Sequence, residues 1–193
     1  VFRDTVAGGR LLDWTYVPLA EIGHSSNVNT GRETLFNANF TVSLTPHLSA
    51  NVAYSYANQY SEIKDTEGME TFNLRSLVNL YATWDATSVK WNIPIGDHLE
   101  YTNNSGLTHI GRAQLNYNRQ WSSHRVDAIA GTEIRDISSS YNAHNVWGFN
   151  GGNMTFSPVD YVNPVPLLNG IFSSSSVPNG QAQGAIVNRY LSY

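Results

Sequence analysis

Phe36-Asn-Ala-Asn-Phe-Thr-Val-Ser-Leu44 and Leu48-Ser-Ala-Asn-Val-Ala-Tyr-Ser-Tyr56, parted by Thr45-Pro46-His47, decide the fold. In the first arm Phe36, Ala38, Phe40, Val42 and Leu44 share one side of an extended chain, and Asn37, Asn39, Thr41 and Ser43 share the other. Leu48, Ala50, Val52, Tyr54 and Tyr56 resume the alternation against Ser49, Asn51, Ala53 and Ser55. Period two is the signature of a strand with one apolar face. Pro46 has no N–H to give a ladder and a fixed φ, so the strand turns there. Arms of about 11 to 13 residues exceed the usual soluble strand and approach the length of a tilted, bilayer-spanning one.

A second hairpin repeats the plan. Ala113, Leu115, Tyr117 and Trp121 alternate with Arg112, Gln114, Asn116, Asn118 and Gln120; Ser122-Ser123-His124 turns the chain; Val126, Ala128, Ala130 and Ile134 continue against Asp127, Gly131, Glu133 and Arg135. The polar faces are mostly Asn, Gln and Ser rather than Lys and Glu, which suits a wet lumen. Arg119 breaks the apolar face only two residues from Trp121 and the turn. An Arg at a membrane interface costs about 0–1 kcal/mol, against about 2–4 at the midplane. Trp121 and Tyr117 fit an aromatic girdle.

The composition agrees. Of 193 residues 13% are charged, about half the roughly 25% of a soluble domain, while aromatics reach 12% and Asn occurs 21 times. A net charge of -4 with scattered Lys and Arg excludes a nucleic-acid footprint. Without cysteine there is no disulfide framework, thiolate zinc site or thiol nucleophile. No apolar run approaches the roughly 20 residues of a membrane helix, and Val1-Phe-Arg-Asp4 does not begin a signal peptide. A transmembrane β-barrel survives all these exclusions.

The expected organisation is a loop region over 1–33, a barrel hairpin over 34–60, a long loop over 61–106, a hairpin over 107–136, a long loop over 137–188 and the start of a strand over 189–193. Short turns on one side and long loops on the other is the asymmetry of outer-membrane barrels. Residues 71–83 fit a strand and a helix equally well, the helix having Leu74, Leu77, Val78 and Tyr81 on one stripe and Thr71 as N-cap. With both short turns on the same side, the chain between the hairpins crosses an even number of times. A pair would have to use 88–95, which is short and contains Pro94, so a helix is expected over about 71–82. Four strands and part of a fifth cannot close a barrel, which needs about eight. A portion of a larger protein is therefore expected.

Arg112-Ala-Gln-Leu-Asn-Tyr-Asn118, His124 and Ala130-Gly-Thr-Glu-Ile-Arg135 resemble the barrel region of SusC/RagA-type TonB-dependent transporters. Phe72-Asn-Leu-Arg75 with Asn79, Ile93-Pro-Ile-Gly96, Pro158-Val-Asp-Tyr161, Asn188-Arg-Tyr-Leu-Ser-Tyr193 and Pro18-Leu19 are similar too, in the same order. The resemblance implies an all-β fold: a segment of a large antiparallel transmembrane barrel, 22-stranded in the family, in the outer membrane of Bacteroidetes-type bacteria. It implies import of oligosaccharides or peptides, without enzyme activity or cofactor. The implied partners are a SusD-like surface lipoprotein, outer-membrane lipid, and TonB acting through regions outside these residues.

Candidate ligand contacts are the loop aromatics Trp91, Tyr101, Tyr141, Trp147, Phe149 and Tyr161, which stand among amides able to bind hydroxyls. The plainer reading packs them within the loops or against a lid protein. The six histidines make no i, i+3 or i, i+4 ligand pair, so no metal site is expected. Asp127, Glu133, Arg135 and Asp136 read as a charged lumen cluster rather than a catalytic dyad. Ser173–Ser176 reads as a flexible stretch. The alternative function is a secreted, soluble β-sandwich that binds carbohydrate, whose apolar faces pack on each other. An all-β glycosidase is a third class, and no residue constellation supports it.

Overall fold

The computed structural model describes residues 5–193. In chain order its elements are β1 (Ser25–Thr45), β2 (Leu48–Glu67), α1 (Phe72–Leu80), β3 (Ala82–Trp84), β4 (Val89–Trp91), β5 (Asp97–Trp121), β6 (His124–Phe149), β7 (Val165–Pro166), β8 (Ser174–Ser175) and β9 (Ala182–Ser192). Strand makes up 61% and helix 11%, the latter including short 3-10 turns at Val6–Gly9, Pro18–Ala20 and Leu167–Gly170, so this is a mostly antiparallel β chain. Among the described residues β1-β2-β5-β6-β9 form a five-stranded sheet in that order, with β3-β4 and β7-β8 as separate small pairs.

The strands overrun the boundaries expected from alternation. β1 begins at Ser25 rather than 34, β2 runs to Glu67, β5 starts at Asp97, β6 reaches Phe149 and β9 begins at Ala182. The loops over 1–33, 61–106 and 137–188 are correspondingly shorter than expected. The physical reason is that alternation marks a strand only where one face meets an apolar surroundings. The outer stretches are held instead by cross-strand polar pairs such as Asn27 with Asp65 at 2.9 Å and Tyr60 with Asn103 at 2.9 Å.

Packing divides the chain into two units. The first comprises the described residues up to Asn29, Ile63–Thr102 and Ala143–Ala182. Its centre is α1, which occupies the stretch expected to be helical. The Thr71 hydroxyl accepts from Leu74 N–H at 3.3 Å and caps the first turn. Leu74 and Val78, four apart, are fully buried with Tyr81, Ile93, Trp147 and Val177. Each such aliphatic side chain contributes about 1.5–3 kcal/mol of burial. Asn79, also fully buried, accepts from Leu12 N–H at 2.9 Å and donates to Leu12 C=O at 2.8 Å, tying the N-terminal segment to the helix. Residues 88–95 do not span anything: Val89–Trp91 pairs with Ala82–Trp84 in a three-residue ladder. Ser174–Ser175, expected to be flexible, is ordered by pairing with Val165–Pro166, beside the bond from the Tyr81 hydroxyl to Ser176 C=O at 3.1 Å. Gly96 and Gly148 have φ of 142° and 64°, and a Cβ on Gly96 would lie 2.7 Å from Gly148 Cα. Two backbones touch there, which no side chain permits.

The second unit, Thr30–Glu62, Asn103–Asn142 and Gln183–Tyr193, is strand throughout apart from the two turns. Phe36 lies against Tyr54, and the Tyr54 hydroxyl meets His109 Nδ1 at 2.8 Å, so β1, β2 and β5 present these residues on a common face. Phe40, Val42, Leu44, Val52, Leu115, Val126 and Ile134 continue that face, and all are exposed. Phe40 keeps 72% of its surface open. Asn51 bonds Asn39 and Thr41 at 2.6 and 2.8 Å on the opposite face, which is polar apart from interruptions such as Ile129 and Ile186.

Candidate functional site

Because side chains alternate, the polar face of the second unit gathers residues far apart in sequence. A cavity of about 730 Å³ opens there, and Glu33, Gln59, Asn104, Ser139, Tyr141 and Gly184 are among its lining residues. Gln59 Nε2 donates to Glu33 Oε1 at 2.7 Å, which orients both groups. The Tyr141 ring lies against a bare strand: a Cβ on Gly184 would sit 2.5 Å from it. An aromatic ring covering a strand glycine is a recurring device of sheets, and Tyr141 remains exposed. Carboxylate, amides, hydroxyl and an exposed ring around one hollow suit a polar ligand with some apolar surface.

The six candidate aromatics do not form one site. Tyr141 alone lines this cavity. Tyr101 and Phe149 lie in the first unit, each ring 5.9 Å from Lys64 Nζ, and Tyr101 stacks on His144 at 5.2 Å. Trp91 and Tyr161 pack against the core around α1. Trp147 belongs to that core with 2% of its surface open, and Phe149 is also buried. These last two lie in interior packing, where the sequence reading expects open loop residues. Their loop-like, amide-rich sequence surroundings gave no sign that β6 carries them inward. Glu33, Gln59 and Asn104 were missed, and the signal that could have found them is the alternation extended past its apolar partner.

The anticipated charged cluster divides between the two faces of the second unit. Glu133 meets Arg112 and Arg135 on the polar face, whereas Asp136 pairs with Arg189 at 2.8 Å beside the apolar residues. Asp127 pairs with Arg125 at 2.8 Å. Among the described residues no group of three His, Cys, Asp or Glu side chains stands within reach of one metal ion.

His98 supplies a pH handle in the first unit. It stacks on Trp147 with ring centroids 3.9 Å apart, its buried Nε2 has no partner among the described residues, and burial pushes its pKa down while Glu67 and Asp65 pull the other way. Unfolded His98 takes up a proton near pH 6.5 and folded His98 only at lower pH. The unfolded state therefore binds more protons in that interval, and stability is full above about pH 6.5 and falls as pH drops below it. Thermal melts of wild type are expected to lose midpoint between pH 7.5 and 5, and His98→Phe to flatten the slope. An unchanged slope in that variant would remove His98 from the explanation.

No protein-family model matches the chain, and no curated protein matches its sequence.

Proposed function

We propose that the chain is a stretch of wall from an outer-membrane β-barrel importer, a TonB-dependent transporter of the SusC/RagA type. It admits oligosaccharides or peptides, works with a SusD-like surface lipoprotein, and makes or breaks no bond itself. One observation carries this reading: the sheet of the second unit leaves a broad apolar face uncovered and a polar face opposite it. In water such a face is a liability, and in lipid it is the required surface.

The dimensions support it. Phe36 to Leu44 covers about 27 Å along the strand, or about 21 Å once tilted by roughly 40°, near the roughly 25 Å apolar band of outer-membrane barrels. Tyr54, Tyr56 and His109 cluster towards one end of the band, and Trp121 with Arg119 5.1 Å from its ring lies at the other, next to the turn. β1 and β9 are edges among the described residues, and further strands would pair them in a closed barrel. The soluble sandwich needs apolar faces packed together, and among the described residues nothing covers this one.

The test is fractionation of the full-length polypeptide. Recovery in the outer membrane, with a folded form that shifts mobility on heating in detergent gels, is the expected result. A polypeptide soluble without detergent overturns the reading. Within it, Tyr141→Ala is expected to lower uptake of labelled oligosaccharides or peptides about five-fold, equivalent to roughly 1 kcal/mol of lost ring contact, with the heat-shifted form intact. Unchanged uptake would take Tyr141 out of the ligand path.

A further inference from the structure

Charge on the polar face of the second unit is unbalanced around Glu133. Arg112 Nε donates to Glu133 Oε2 at 2.9 Å, Arg112 Nη2 donates to the same oxygen, and Arg135 Nη2 reaches Oε1 at 3.4 Å. One carboxylate therefore meets two guanidinium groups and leaves a charge of +1. Glu133 is the deepest of the three, with its side chain 20% exposed against 57% for Arg112 and 44% for Arg135. Three N–H donors go to Glu133; among the described residues the others have no protein acceptor.

The neighbourhood leaves room for a ligand. A hollow of about 200 Å³ adjoins Arg112 and Glu133, with Gln114, Gly131 and Ser192 at its edges. A Cβ on Gly131 would come within 3.0 Å of Ala113 C=O, so the strand is bare at that point. Nearby charge is otherwise matched, Asp127 being paired with Arg125. Glu33 lies in the larger cavity instead.

We propose that Arg112 and Arg135, bridged by Glu133, form a docking site for a carboxylate group of the solute passing along this face. The proposal rests on the barrel reading, which makes this face the lumen. Guanidinium forks take a carboxylate through paired N–H···O bonds, and a shared carboxylate beneath them holds both in place beforehand. Glu133 also competes with the incoming group, so the site holds solute loosely enough to release it.

The experiment titrates the full-length protein in detergent at low salt with trigalacturonate, with its neutral methyl ester, and with a triglutamate peptide. Trigalacturonate or triglutamate is expected to bind at least ten-fold more tightly than the ester, with the preference shrinking as salt rises. Binding of both acids means the carboxylate suffices; binding of one identifies a sugar or a peptide source. The pair Arg112→Gln and Arg135→Gln is expected to bring the acid-over-ester ratio close to one, and Glu133→Gln to widen it at least three-fold. A purely structural cluster predicts no acid-over-ester preference in wild type, and Glu133→Gln would then weaken the fold alone.

Equal binding of acids and ester, no binding of either acid, or weaker acid binding in a folded Glu133→Gln protein overturns the site. If the double variant does not fold, the wild-type ratio and Glu133→Gln still decide. A polypeptide that fractionates as soluble defeats the barrel reading separately. One that inserts in the membrane yet treats acid and ester alike defeats this site alone.

Discussion

Trp147→Ala is expected to disrupt the first unit rather than to trim ligand affinity, at a cost of about 3–5 kcal/mol. The indole is 2% exposed, stacks on His98 at 3.9 Å and donates Nε1–H to Pro178 C=O at 3.1 Å. Removing it opens a cavity against Leu74, Val78 and Ile93 and leaves that carbonyl only the longer bond from Asn145 Nδ2 at 3.5 Å. A loss of this size is a large share of the usual 5–15 kcal/mol margin of a folded domain. Faster proteolysis between residues 150 and 181 and a lower melting midpoint are the readouts. Trp147→Phe, which refills most of the volume, is expected to recover much of the loss. A Trp147→Ala protein that melts like wild type but no longer takes up solute would restore the indole as a ligand contact.

Phe40→Arg carries the second large effect, and its size depends on what surrounds the sheet. Phe40 is 72% exposed at the middle of the apolar stripe of β1. In water, replacing so exposed a side chain changes stability by only about 0.5 kcal/mol. Facing lipid near the midplane, arginine costs about 2–4 kcal/mol. Barrel assembly into the outer membrane is therefore expected to fall sharply for Phe40→Arg. Asn39→Arg, one residue away on the polar face, is expected to assemble normally. The heat-shifted band of the two variants, compared at equal expression, measures the difference. Equal assembly would mean that this face does not meet lipid.

Several elements are legible in the sequence alone. Pro46-His47 and Ser122-Ser123 turn where the alternation breaks, and Thr71 caps a helix whose stripe of Leu74, Leu77, Val78 and Tyr81 packs into or against the core. These depend on local causes: a missing N–H, a capping hydroxyl, a side-chain period. The outer ends of β1 and β2 were not legible, because both their faces are mostly polar and their pairing comes from partners such as Asp65 and Asn103 in other strands. For the same reason Glu33 and Gln59 stayed hidden, being neighbours only across the β1–β2 ladder.

By itself, then, the sequence determined the period-two strands, their sidedness, the short turns and the capped helix, since each follows from residues within a few positions of one another. Only the tertiary structure decided which aromatics are core and which are open. Trp147 and Tyr141 stand six residues apart on one strand, in similar amide-rich company. One is buried against a helix some 70 residues earlier in the chain, and the other lies on Gly184 beside a cavity. Burial is a property of what long-range contacts bring alongside a side chain, and no local pattern encodes it.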